Sequence, residues 1–209
     1  MYLTRSERVA DGSMHAIGVT GSVLGAILLL VWAAPVVSPW EIAAVAVYAV
    51  TLIGTFTASA LYHMTPWESL RPALRRIDHA AIYLKIAGTY TPLVVMIGSG
   101  LAYVVLAVVW ALAVIGMVLK LVFWSAPGQF GPALYLIMGW MSVVLVWSSW
   151  SDLPFGYILA GGLLYTVGVV FHASKNMKFA TAIWHGFVIA ASACFFVAIT
   201  VVTTQQTAV

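Results

Sequence analysis

Seven apolar runs, each about as long as a membrane crossing, take up almost the whole of this chain. They lie near residues 14–34, 41–63, 78–98, 101–122, 131–149, 154–172 and 181–202, parted by breaks such as APVVSPW, MTPWESLRPALRRI, SAPGQFGP and SDLP. A hydrocarbon core about 30 Å thick takes roughly 20 residues of α-helix, which satisfies its own backbone hydrogen bonds where no water is present. The expected fold is therefore an all-α integral membrane protein, a seven-transmembrane helix bundle. Composition agrees, since 63% of the residues are hydrophobic, 7% are charged and the mean hydropathy is +1.05. Residues 1–209 read as a single membrane domain without room for a soluble one. Arg5 and Arg8 precede the first run, but that run exceeds the roughly 7–15 residues of a signal-peptide core and reads as a retained span.

Charge orients the bundle. Arg5 and Arg8, then Arg71, Arg75 and Arg76, then Lys120, and finally Lys175 and Lys178 all fall on one side of the seven-span topology, while Glu41 and Asp152 occupy the other. The positive-inside rule then predicts a cytoplasmic N-terminus and an external C-terminus. The formal charge of +3 belongs to short loops and offers no Lys/Arg block suited to nucleic acid. Cys194, the one cysteine, lies inside the last run and can form neither an intrachain disulfide nor a CxxC site. Tryptophans such as Trp40, Trp124, Trp147 and Trp150 flank spans as an interfacial belt. Gly21-Ser-Val-Leu-Gly25 and Gly161-Gly162 read as packing contacts between helices.

In this topology all five histidines sit at cytoplasmic helix ends: His15, His63, His79, His172 and His185. Asp78 opens the third span at the same level, so His63, Asp78 and His185 come from three helices into one layer. Ionisable groups within a membrane are costly and mark functional sites, although helix ends tolerate them better than centres do. Interfacial contact with headgroups is the plain reading for His79 and His172. In SALYH, Ser59 lies one turn from His63 on the same face, and in TAIWH, Thr181 bears the same relation to His185. Lys85, seven residues beyond Asp78, lies about two turns deeper on nearly the same face. Its stem can snorkel toward the cytoplasm, either to form a charge pair with Asp78 or to face water and lipid headgroups alone.

The motifs SALYH, IDHAAIYLKIAGTYTP, YLIMGW, LPFGYILAGGLLYTVGVVF and AIWHGFVIAASAC, in this order, resemble the haemolysin III-like bacterial branch of the progestin and adipoQ receptor (PAQR) superfamily. The resemblance spans nearly the whole chain. It implies seven helices with a cytoplasmic N-terminus, a bacterial inner-membrane location and similarity to adiponectin receptors and, more remotely, alkaline ceramidases. It also implies a Zn2+ ion near the inner face, held by three histidines. His63 and His185 match two of these ligands, and Ser59 and Asp78 match the residues that hold the zinc-bound water. The third ligand belongs to a His-x-x-x-His motif in the last span, where this chain has Thr181, and many relatives have a further histidine where this chain has Phe195. A threonine hydroxyl is a poor neutral zinc donor, so the zinc site is expected to be weakened or lost.

Three functions follow from the resemblance. One is a zinc-dependent hydrolase of a lipid amide or ester, with Asp78 as proton acceptor and Ser59 orienting the attacking oxygen. The second is a non-catalytic membrane sensor or receptor-like homeostasis factor with a lipid ligand in its bundle, which Thr181 favours. The third, a cytolysin, comes from the family name and lacks an amphipathic pore-forming segment in the sequence.

Overall fold

A computed structural model describes residues 4–123, 130–148, 153–174 and 177–205. Trp124, Trp150, Asp152, Lys175 and the C-terminal residue Val209, each named or implied above, lie outside the described residues. Every regular element among the described residues is an α-helix: α1 (Arg5–Ala33), α2 (Pro39–Met64), α3 (Arg71–Ile97), α4 (Gly100–Val122), α5 (Phe130–Trp140), α6 (Ser142–Ser148), α7 (Phe155–Ala173) and α8 (Ala180–Gln205). Six of them, α1 to α4, α7 and α8, are long and apolar enough to cross a membrane. The chain is thus a multi-pass helical membrane protein.

The run expected as one span at 131–149 is instead two short helices that part at Met141. The cause lies in a neighbour. The Tyr90 hydroxyl of α3 reaches the carbonyls of Met138 (2.7 Å) and Gly139 (2.8 Å), and the Ser142 hydroxyl also donates to Gly139 (2.9 Å). Side chains thereby enter the backbone ladder at the point where it breaks.

Local signals set the helix starts. Thr4 and Glu7 form a capping box at α1, Ser38 and Glu41 form another at α2, and the Ser99 side chain caps α4. Gly98, at φ 68°, ends α3 in the left-handed conformation that glycine adopts at little cost.

Helix α3 is the axis of the bundle. Of its most apolar 18-residue stretch 72% is buried, against 44% or less in the other long helices. It packs on α2 and α4 along its sides and also touches α8 and α5, while α1 bridges α2 and α8, and α8 packs on α7. Leu28, Val31, Val50 and Val170 point outward, as a surface solvated by lipid chains requires. Gly88 marks the closest approach of α3 to α2, because a Cβ there would overlap the side chain of Thr51. Gly88→Ala is expected to destabilise the protein by about 1–3 kcal/mol, read as a lower melting temperature in detergent. An unchanged melting temperature would show that α2 and α3 are free to separate. Gly161 is also a close contact, facing the Phe195 ring of α8, and Gly25 faces Phe196, whereas Gly21 faces nothing.

One strap joins α1 to α8. The Phe179 amide, just ahead of α8, donates to Glu7 Oε1 at 3.1 Å. Phe179 has φ 62°, the one non-glycine residue with positive φ among the described residues. Glu7, Asp11 and His15 follow at intervals of four residues, so the strap heads the face of α1 that carries the buried Asp11 and His15.

Candidate metal centre

Asp11 is fully buried, at 0% exposure, where α1 meets α2 and α8. A carboxylate in such a place requires partners. Three imidazoles surround it. His185 Nδ1 of α8 lies 2.6 Å from Oδ1, His63 Nδ1 of α2 lies 3.4 Å from Oδ2, and His15 Nε2 lies 3.6 Å from Oδ2 within α1. The rings gather closely, with centroids 4.3 Å apart for His15 and His185, 4.7 Å for His63 and His185, and 5.1 Å for His15 and His63.

One donor atom from each of Asp11, His15, His63 and His185 falls within 4.8 Å of the others. In these residues Asp11 Oδ2 and His15 Nε2 are buried without a hydrogen-bond partner. Orphaned polar atoms of this kind are expensive in a protein interior unless something else binds them. Imidazole nitrogen and carboxylate oxygen together suit a borderline divalent cation such as zinc. By donor chemistry and by these unsatisfied atoms, the residues fit a metal ion.

The sequence-predicted residues divide into two groups. His63 and His185 meet in the cluster. Asp78 lies beside it, with His79 Nδ1 at 3.4 Å and with Ser59 and His63 as its other polar neighbours. The His79 ring nitrogen also faces the Arg75 carbonyl at 2.9 Å, and the Tyr135 hydroxyl donates to the His79 carbonyl at 3.1 Å. His172 packs its ring 5.0 Å from that of Trp184. Thr181 is half-buried, one turn ahead of His185.

Two expectations change. The third imidazole of the cluster is His15 of α1, which the sequence pattern marks only as a helix end, and it is joined by Asp11, which no motif marks. A usable signal was present, since Thr4-x-x-Glu7 is a capping box that starts the helix at Arg5 and puts Asp11 and His15 on one face. Lys85 does not pair with Asp78: its ammonium donates to Ser192 Oγ at 2.6 Å and stands over the Phe56 and Tyr165 rings. At that depth a hydroxyl from α8 is closer than the carboxylate about two turns away along α3.

Fold and centre together define a polytopic helical membrane protein with a three-histidine, one-aspartate cluster joining three helices. Residues 4–196 match the family described as haemolysin-III related, and the chain belongs to that family. It is 36% identical over 197 residues to the Hemolysin-3 homolog of Bacillus subtilis (strain 168), covering 92% of each chain. Hemolysin-3 of Bacillus cereus is 34% identical over 194 residues, which are 91% of this chain and 89% of that one. The human Monocyte to macrophage differentiation factor is 28% identical over 202 residues, 92% of this chain and 83% of its own, in keeping with the PAQR superfamily.

Proposed function

We propose that this chain is a metal-dependent lipid hydrolase of the bacterial inner membrane, with zinc held by His15, His63 and His185 at the cytoplasmic side. The observation that carries the reading is the convergence of donor atoms from Asp11, His15, His63 and His185 within 4.8 Å, beside buried Asp11 Oδ2 and His15 Nε2 atoms that lack hydrogen bonds. Three histidines are a ligand set of catalytic zinc, and bound zinc would supply a Lewis acid and a lowered water pKa.

The surrounding residues then have separate tasks. Asp11 accepts the Nδ1–H of His185 and fixes that ring, as carboxylates behind metal-bound histidines do. Asp78, next to His63 but outside the four-donor group, is the proton acceptor, and the Ser59 hydroxyl beside it orients the attacking oxygen. The substrate class is a membrane lipid with an amide or ester bond, admitted from the bilayer.

A second reading rests on Asp11. If its orphaned Oδ2 enters the coordination sphere, the ion has four protein ligands and no open position, which is the pattern of structural zinc. The protein would then be a metal-stabilised sensor without turnover. Metal analysis of the detergent-purified chain is expected to find about one zinc per protein under either reading, because each uses one four-donor cluster. Protein that binds no zinc after reconstitution would sink both. Cobalt substitution separates them: an exchangeable solvent ligand supports the hydrolase, and a spectrum insensitive to added anions supports the closed site. For orientation, a reporter at the C-terminus active only in the cytoplasm would overturn the proposed topology.

A further inference from the structure

A second polar cluster lies deeper in the bundle and involves none of the metal ligands. Lys85 is the one lysine or arginine buried among the described residues, at 6% exposure. Seven residues beyond Asp78, it is about 10 Å farther along α3, well inside a hydrocarbon core about 30 Å thick. An ammonium at that depth is costly and calls for a counter-charge.

Its partners are neutral. The Nζ group donates to Ser192 Oγ at 2.6 Å, and the Ser192 hydroxyl spends its own proton on the Val188 carbonyl, also at 2.6 Å. The Tyr165 hydroxyl lies 3.2 Å from the same Ser192 oxygen. The ammonium stands 4.7 Å from the Phe56 ring centre and 5.3 Å from that of Tyr165. The ion pairs among the described residues join histidines to Asp11 or Asp78, and none includes Lys85. An ammonium has three N–H donors, and this one has a single hydrogen-bond acceptor.

We propose that Lys85, Tyr165 and Ser192, drawn from α3, α7 and α8, form a binding site for a monovalent anion in the bundle core. The cluster offers what such an anion needs: one positive charge and surplus N–H donors, with the Tyr165 hydroxyl beside them, in a setting of low dielectric. Two sources share this chemistry, a halide ion and the carboxylate headgroup of a single-chain amphiphile entering from the bilayer. The site is independent of the metal reading, because neither its residues nor its charge balance involves Asp11 or the three histidines.

Melting curves of the full-length protein in uncharged detergent test the site. One arm titrates sodium chloride against sodium gluconate at constant ionic strength, and the other titrates laurate against dodecanol. A ligand bound only by the folded state raises the melting temperature saturably, so a rise of a few degrees is expected in at least one arm. A chloride response identifies a halide site, and a response to laurate alone identifies an amphiphile site. Lys85→Met should abolish the response, and Tyr165→Phe, which keeps the ring and removes the hydroxyl, should weaken binding about 3–10-fold. Lys85→Met removes a buried charge and is expected to fold. Wild-type protein that responds in neither arm, or a Lys85→Met response equal to wild type, would overturn the proposal.

Discussion

His63→Ala and His185→Ala are each expected to lower zinc affinity of the purified protein by more than about 100-fold, and Asp11→Asn by about 10–100-fold. The first figure follows from losing a ligand outright, and the second from losing the carboxylate that orients one. Titration with a competing chelator measures all three. Asp11→Asn discriminates further. A loss as large as that of His63→Ala would make Asp11 a direct ligand and favour the closed site, whereas a smaller loss fits an orienting role. Affinity unchanged in all three variants would mean that zinc, if bound, is held elsewhere.

The second large effect concerns the metal-free protein. His185→Phe removes the 2.6 Å partner of a fully buried carboxylate, and breaking a buried pair in this way costs about 3–5 kcal/mol. Asp11→Leu, in turn, leaves three imidazoles crowded around an apolar side chain. The double variant carries no orphaned charge, so its loss should fall well below the sum of the single losses. Chemical unfolding of the four proteins in chelator completes the cycle. Additive losses would show that Asp11 and His185 do not depend on each other.

Much of this was legible in the amino-acid order. Runs of about 20 apolar residues gave six long helices near their expected places, and the shared level of helix ends brought His63 and His185 together. What failed did so for identifiable reasons. Hydropathy located the start of α1 at residue 14 because the preceding turns are polar, while the capping box begins the helix at Arg5 and carries Asp11 inside. Asp11 therefore lies outside the expected span, and His15 lies at its very start. The division of α5 from α6 was beyond any local pattern, since it depends on a tyrosine 48 positions before the carbonyl it engages. The expected Lys85–Asp78 pair rested on the reach of a lysine stem, and the hydroxyl that Lys85 meets instead is 107 positions away on α8. Membrane orientation, by contrast, rests on charge counting alone.

The strap between Glu7 and Phe179 acquires a further meaning when the chain is considered as it emerges from the ribosome. Asp11 and His185 are 174 positions apart, so α1 enters the bilayer long before its partner exists. During that interval His15 and, once α2 has inserted, His63 face the carboxylate at 3.6 and 3.4 Å, but its 2.6 Å partner is missing until α8 inserts. The amide of Phe179 is made just before α8, which lets the strap catch the N-terminal helix as the final segment arrives. The four-residue cluster is thereby completed only late in biogenesis. A chain halted before α8 would leave Asp11 exposed as a buried polar lesion, a feature by which membrane quality control can tell an unfinished protein from a finished one.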